Sequence, residues 1–273
     1  MAVKSDVSAG DNGSFDGLRS SDLSKTHEEH GISREGYIED QRKFFDSLVS
    51  KDWEDYINED WDRARQEEVD QILSRAPSVE RVLDLGCGCG YHDLLFAKKE
   101  RIRKIVAVDY SEKSIEKAES EYPHAKIERH VVDFLRDKEF ILSRGPFDLV
   151  ACFQVIEHLT RPDELVAVSA LFAKVGGHVA IVTPNEKRLQ NRWLRMTGKP
   201  VEMVDPLHFR EYGIPELRQL GQKWGLKAVS YFGRDFHLSH GSRGIITSKG
   251  MLGSWVASMV PTFCDVIGVI FRK

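Results

Sequence analysis

The sequence lacks the features that would place it outside a reducing, aqueous compartment. It has four cysteines in 273 residues, too few for a disulfide framework, and Cys87 and Cys89 are too close in an extended turn to bridge. No run approaches the roughly 20 apolar residues that a bilayer span needs. The first 30 residues, rich in Ser, Asp, Gly and Lys, lack the apolar core of an export signal. A cytoplasmic protein is the resulting expectation. Positive charge is not in excess either: 39 Lys and Arg face 43 Asp and Glu, for a net charge of -4. That is not the basic surface with which proteins grip nucleic acid, so no nucleic-acid partner is expected. There is no G-K-[ST] to cradle a triphosphate, no second cysteine pair to complete a zinc site around Cys87 and Cys89, and no internal repeat.

What is present is 41% hydrophobic and 30% charged sequence, enough for one sizeable core. The N-terminal stretch buries too little apolar surface to offset ordering, so residues 1–34 are expected to be a mobile tail. From Ile38 to Leu73, Phe44, Phe45, Leu48, Val49, Trp53, Tyr56 and Ile57 recur at three- and four-residue steps, followed by Val69, Ile72 and Leu73. This predicts a helical cap over 35–78. From residue 79 the texture alternates. Strands are predicted at "RVLDLG", "KIVAVD", "KIERHVVD" (ending at Asp133), "PFDLVACFQ", "HVAIVTP", "LKAVSYFG" and "DVIGVIFRK". Helices are predicted between them. One opens on Ser111 as N-cap, and another, "RPDELVAVSALFAKVGG", closes on Gly176 and Gly177. The early strands are apolar almost throughout, the mark of a parallel sheet covered on both faces. The final two strands lack a full crossover, which makes the last one antiparallel. The expected fold is therefore α/β: a Rossmann-like, seven-stranded, mostly parallel sheet with helices on both faces, in one domain over 35–273. Insertions are expected at 185–213 and 234–262.

The most informative stretch is "VLDLGCGCGYHD", Val82 to Asp93. A glycine turn leaving a strand cradles a ligand, and a dinucleotide, a nucleoside triphosphate, a metal on the two cysteines or a smaller nucleoside are the candidates. The dinucleotide fingerprint needs a glycine where Tyr91 or Asp93 stands, which disfavours a nicotinamide oxidoreductase. Cys87 and Cys89 read as small thiols filling the turn. Asp84 would repel a pyrophosphate but suits a cationic ligand such as S-adenosylmethionine, with its sulfonium and ammonium. Asp109 ends the second strand 19 positions after Gly90, where an acceptor for a ribose diol is expected. Asp133 ends the third strand, placed to accept from the adenine amine.

On these residues, and on "VAVDYS", "VVDF", "FDLVACFQVIEHL" and "GGHVAIVTPN", the chain resembles class I S-adenosylmethionine-dependent methyltransferases over roughly Arg81 to Gly233. "QVIEHL" and "PLHFREYGIPELRQL" resemble most the subgroup of ubiquinone-biosynthesis O-methyltransferases and glycan-cluster methyltransferases. The resemblance implies S-adenosylmethionine as methyl donor, held by Asp84, Gly86, Cys87, Gly88, Gly90, Asp109, Tyr110, Asp133, Phe134 and Gln154. It also implies acceptor-side residues: Glu157 and His158 after the fourth strand, with His158 as preferred general base, and His208 in the later segment as a second base candidate. Some relatives bind a divalent metal through Glu-x-x-Glu-His. Here Gln154 replaces the first Glu, a neutral amide being the poorer ligand for a hard dication, so no metal is expected. The basic stretch "NEKRLQNRWLRMTGKP" reads as a solvated helix or a lid facing an anionic acceptor or membrane surface. The "MLGSWVASMVP" stripe (Met251, Leu252, Trp255, Val256, Met259, Val260) reads as core packing, an acceptor wall or a shallow membrane contact. The expected acceptor is a small, partly hydrophobic hydroxyl compound, with O-methylation as the reaction. A non-catalytic S-adenosylmethionine-binding protein is the alternative, and the sequence leaves the oligomeric state open.

Overall fold

The computed structural model describes residues 46, 49, 59–201, 203–204, 208–240, 243–247, 257 and 259–273, with backbone alone for 237–240 and 243–247. All of them belong to one compact unit, Phe44–Lys273. The expected tail at 1–34 and most of the helical cap before residue 59 lie outside the described residues, as do Trp53, Trp255 and most of the 251–260 stripe. Asp46 and Val49 are helical, in keeping with the 3.6-residue pattern around them.

The chain runs α1 (Glu59–Arg75), β1 (Arg81–Leu85), α2 (Tyr91–Ala97), β2 (Lys104–Asp109), α3 (Glu112–Glu121), β3 (Ile127–Val131), α4 (Lys138–Leu142) and β4 (Phe147–Phe153). It continues through a 3-10 turn (Ile156–His158), α5 (Pro162–Phe172), β5 (Ala173–Pro184), α6 (Leu189–Met196), α7 (Ile214–Lys223), β6 (Lys227–Arg234), β7 (His237–His240), β8 (Arg243–Thr247) and β9 (Val266–Arg272). The seven-stranded sheet has the order β3-β2-β1-β4-β5-β9-β6. The pairings from β3 to β5 are parallel. The last strand, β9, is antiparallel to both its neighbours and sits inside the sheet, between β5 and β6.

Successive strand residues face opposite sides, and the core divides accordingly. Leu83, Leu85, Val106, Val108, Val150 and Cys152 pack with Leu165, Val168 and Phe172 of α5 and Leu217 of α7. Val82, Ile105, Ala107, Leu149 and Ala151 pack on the other face with Val69, Ile72 and Leu73 of α1 and Phe96 of α2. Two buried faces explain why these strands read as continuous apolar runs. The Ser111 cap forms as expected, its side chain accepting from the Ser114 N–H. Helix α7 begins at Ile214, with Pro215 in its first turn and the Glu216 carboxylate accepting from the Gly213 N–H at 2.7 Å.

Three boundaries differ from expectation. Helix α5 ends at Phe172, so Gly176 and Gly177 do not cap it and instead lie within β5. A Cβ on Gly177 would lie 2.9 Å from the Lys174 carbonyl and 3.1 Å from that of Asp148, so close backbone approach is what requires the glycine. Strand β3 ends at Val131, two residues before Asp133. The 234–262 insertion contains an antiparallel hairpin, β7 with β8, that its glycine and serine content concealed.

Candidate functional site

Crossovers after β1 lead toward β3 and those after β4 lead toward β5, so the direction of winding reverses between β1 and β4. Open α/β sheets bind ligands at that point, beyond the carboxyl ends of the strands. The glycine turn follows β1 and Gln154 follows β4, which brings two of the singled-out segments together there.

Gly86, Gly88 and Gly90 all have positive φ, at 73°, 51° and 77°. Gly86 and Gly90 are also close-packed: a Cβ would lie 2.7 Å from Val155 Cγ2 and 2.8 Å from Ala118 Cβ, respectively. Gly88 differs, because no heavy atom lies within 4 Å of the position its Cβ would take. The turn is thus pinned at both ends and open in the middle, where a ligand can meet the backbone. Cys87 and Cys89 are buried within it. Burial pushes the Cys87 thiol well above its usual range and that of Cys89 to about 11, so both remain protonated thiols.

Asp109 stands beside this opening. Its carboxylate accepts from the Gly88 N–H and from the Ser111 N–H, each at 2.9 Å. Burial raises its pKa, against the pull of backbone donors from Ser111, Gly88 and Tyr110. The Ser111 hydroxyl donates to Asp46 at 2.6 Å, so the helical segment carrying Asp46 reaches the edge of the same site. The Val132 N–H donates to the Asp109 carbonyl at 2.8 Å, which brings Asp133 and the buried Phe134 up beside Asp109. Asp133 closes a local turn by accepting from the Leu135 N–H at 3.0 Å and pairs with Arg136 at 3.4 Å.

Gln154 is held at φ 55°, a strained conformation for a residue with a side chain. Its N–H donates to the Val182 carbonyl at 2.8 Å, and its side-chain nitrogen is buried with no acceptor among the described residues. Asp84 points to the α1 and α2 side of the sheet, where it faces Asp93 of α2. Burial, followed by the Asp93 charge, holds Asp84 well above the carboxylate range. Arg129 of β3 reaches Asp93 at 3.2 Å. Asp93 and Arg129 were missed as partners of the turn because helical and strand patterning carry no sign of a contact 36 positions apart.

The 3-10 turn after β4 carries Glu157 and His158. The Phe209 N–H donates to the Glu157 carbonyl at 2.9 Å, which stitches the later His208 segment onto this turn. The two imidazoles lie edge to face with centroids 4.8 Å apart. Glu157 is fully buried; one of its oxygens accepts from the Thr183 hydroxyl at 2.9 Å and the other has no hydrogen-bond partner among the described residues. Burial pushes this carboxyl up to about 7, against the Thr183 bond and the His208 charge. His208 Nδ1 lies 3.3 Å from Glu211, which also forms a buried ion pair with Arg188. Glu157, His158 and His208 each offer a ligand atom within 4.8 Å of the others, a donor set able to hold a metal ion. The local sequence offers Glu157 and His158 as ligands beside the neutral Gln154; the fold adds His208 as a third donor from 50 residues downstream of His158. Thr183, Arg188 and Glu211 also went unrecognised, although Glu211 stands three residues after His208, a spacing that brings side chains together in a turn. Arg210 points elsewhere, pairing with Glu216 at 2.7 Å.

Comparison with known proteins identifies the family. A family model described as a methyltransferase domain matches residues 57–231. A probable S-adenosylmethionine-dependent methyltransferase of Mycobacterium tuberculosis is 31% identical over 181 residues, which are 66% of this chain and 59% of that protein. One from Mycolicibacterium smegmatis is 30% identical over 171 residues, 62% of this chain and 60% of the relative. The chain therefore aligns with about three fifths of the length of these relatives. A ubiquinone biosynthesis O-methyltransferase of Ralstonia nicotianae is 29% identical over 116 residues, 42% of this chain and 48% of that protein. Among solved structures, a SAM-dependent methyltransferase from Archaeoglobus fulgidus has a TM-score of 0.51 at 20% identity, covering 77% of this chain and 94% of its own. The N-methyltransferase NodS of Bradyrhizobium japonicum, in complex with S-adenosyl-L-homocysteine, has a TM-score of 0.52 at 14% identity, covering 85% and 97%. These two likenesses concern the fold. Taken together with a glycine turn open at Gly88 and flanked by Asp109 at the switch point of the sheet, they lead to one conclusion: this chain belongs to the methyltransferase-domain family, in the class I group that uses S-adenosylmethionine as methyl donor.

Proposed function

We propose that this protein transfers the methyl group of S-adenosylmethionine to a hydroxyl on a small, partly apolar acceptor, with Glu157, His158 and His208 receiving the acceptor's proton. The observation that carries this reading is the convergence of those three side chains, within 4.8 Å of one another, beside the switch point. The acceptor oxygen attacks the methyl carbon in line. The carbon–sulfur bond breaks with its electron pair going to sulfur, and the hydroxyl proton passes to the cluster. Positioning supplies much of the acceleration, and a nearby base is needed because an ether cannot form while the oxygen keeps its proton. A carboxyl held at about 7 titrates in the range where such a base works. On the donor side, Asp109 is placed for the ribose, Asp133 and Phe134 for the adenine, and the Gly86–Gly90 turn with Gln154 for the methionine portion. The hydroxyl acceptor also accords with distant relatives named ubiquinone biosynthesis O-methyltransferases.

The first test is binding. S-adenosylmethionine and S-adenosylhomocysteine should each stabilise the protein by about 2.7 kcal/mol at 100 times their dissociation constant, whereas NAD should not. NAD as the only stabilising ligand would overturn the reading. Turnover then separates an enzyme from a non-catalytic binder: labelled S-adenosylmethionine incubated with a host extract should label a small molecule at a hydroxyl. The three-donor geometry supports a second reading, in which the cluster holds a divalent cation that polarises the acceptor oxygen. With Gln154 in the remaining ligand position, turnover is expected to survive EDTA. Loss in EDTA restored by a divalent metal would favour the second reading.

A further inference from the structure

A cavity of about 570 Å³ opens beside α6, lined by Lys187, Arg192 and Arg195 together with Leu189, Trp193, Met196 and Phe263. Leu189 stands three and four residues before Arg192 and Trp193, and Met196 four and three after them, so a single helix face presents both the apolar wall and the charge. Met196 is 86% exposed, an unusual position for a large apolar side chain unless something covers it.

The cations are held in place. Arg192 donates from Nε to the Lys187 carbonyl at 2.7 Å and lies over the Phe263 ring at 4.5 Å. Glu186 pairs with both Lys187 and Arg195, and among the described residues no acidic side chain lines the cavity. One carboxylate against three cations leaves a cationic surplus, to which Lys199 adds from above the Trp193 ring. The opposite wall is fixed too, because Asn185 at the end of β5 donates to the carbonyls of Thr262 and Cys264 on either side of Phe263. Exposed Val260 and Met259 extend the apolar surface from there.

The cavity is also coupled to the acceptor side of the site. Arg188, between Lys187 and Leu189, is buried and ion-paired with Glu211, the residue that faces His208. The segment lining the cavity thus contacts the polar cluster through one shared ion pair.

We propose that this cavity binds an anionic amphiphile, an apolar chain along Leu189, Trp193, Met196 and Phe263 with its acidic group between Lys187, Arg192 and Arg195. Resting on the methyl-transfer reading, the inference adds that the acceptor carries an acidic group as well as an apolar body. Guanidinium groups suit a carboxylate or phosphate because they donate in a planar fork. The cavity, a recess between α6 and Phe263, fits a single molecule better than a membrane plane.

The experiment uses the full chain and isothermal titration calorimetry with sodium laurate below its micelle concentration. Laurate should bind one to one, 1-dodecanol at least about tenfold more weakly, and affinity should fall as salt is raised. A double variant, Arg192→Gln with Arg195→Gln, should lose at least about tenfold in laurate affinity while retaining its S-adenosylhomocysteine affinity. If the double variant fails to fold, the comparison of laurate with dodecanol on the natural chain still decides. No laurate binding, equal binding of dodecanol, or an unchanged double variant would each overturn the inference. Retention on phosphatidylglycerol vesicles without binding of monomeric laurate would also overturn it, in favour of a membrane surface. S-adenosylhomocysteine binding, measured on the same samples, keeps the two questions apart: its loss speaks against the methyl-transfer reading, and its presence without laurate binding speaks against the cavity alone.

Discussion

Glu68 and Glu157 are both glutamates with no exposed surface, and their surroundings drive them in opposite directions. Glu68, on α1, lies 2.8 Å from Arg234 at the end of β6, 3.2 Å from Arg65 and 2.8 Å from His92 at the start of α2. Burial pushes its carboxyl up, but Arg234, Arg65 and His92 more than offset this and hold it at about 2. Glu157 has the Thr183 hydroxyl on one oxygen and no such ring of cations, so burial prevails and its carboxyl rises to about 7. The first is a fully matched charge that ties three elements together. The second is a mismatched group poised near neutrality at the carboxyl end of the sheet, where chemistry is expected. Burial is common to both; partners decide which one holds the fold and which one can exchange a proton.

The largest effect should come from breaking the matched group. Glu68→Gln leaves Arg65 and Arg234 buried without their carboxylate and should cost about 3–5 kcal/mol in urea unfolding. A loss below about 1 kcal/mol would mean that the cluster is solvated and the contrast with Glu157 unfounded. Next comes Asp109→Ala, which removes the bonds to the Gly88 and Ser111 N–H groups and, on the proposed reading, those to the ribose. S-adenosylhomocysteine affinity, read by calorimetry, should fall at least about tenfold. Unchanged affinity would place the ribose elsewhere.

The pH dependence sharpens the comparison further. Glu68 takes up its proton at about 2 in the fold, against an ordinary 4.5. Its contribution to stability is therefore complete above about 4.5 and is lost as the pH falls toward 2. Glu157 has the opposite sign. Its folded value of about 7 lies above 4.5, so the folded state binds the extra proton and stability declines as the pH rises through that window. Glu157→Gln should flatten this neutral limb in urea midpoints measured from pH 4.5 to 8, and should lower turnover while leaving cofactor affinity intact. A neutral limb unchanged in the variant would assign it to another group. The smallest effect is expected for Asp133→Asn. The residue is partly exposed and the amide oxygen can still accept, so cofactor affinity should weaken by only about threefold; a loss as large as that of Asp109→Ala would put Asp133 at the centre of cofactor binding.

Much of the fold was legible because its determinants are local. Apolar runs such as "KIVAVD" and "VACF" require two covered faces, Ser111 forms its own cap, and the missing crossover before "DVIGVIFRK" foretold an antiparallel strand. Boundaries failed where the reason for a residue was not local. Gly176 and Gly177 look like a helix stop, yet Gly176 answers to a positive φ of 76° and Gly177 to a close backbone approach within β5. The hairpin β7–β8 was hidden because pairing between two short strands depends on register rather than on apolar content.

Within the site the same division holds. The sequence by itself determined the glycine turn, the acids at the ends of β2 and just beyond β3, and the Glu157–His158 step after β4, because strand ends and turn spacings translate directly into position. Only the tertiary structure decided that His208 joins Glu157 and His158, that Glu211 and Arg188 stand behind it, and that Asp84 faces Asp93 rather than solvent. It also decided which of two buried glutamates is neutralised by cations and which is not. Each of these depends on groups tens of residues apart meeting in a low-dielectric interior, where proximity sets the protonation state and no local pattern records the meeting.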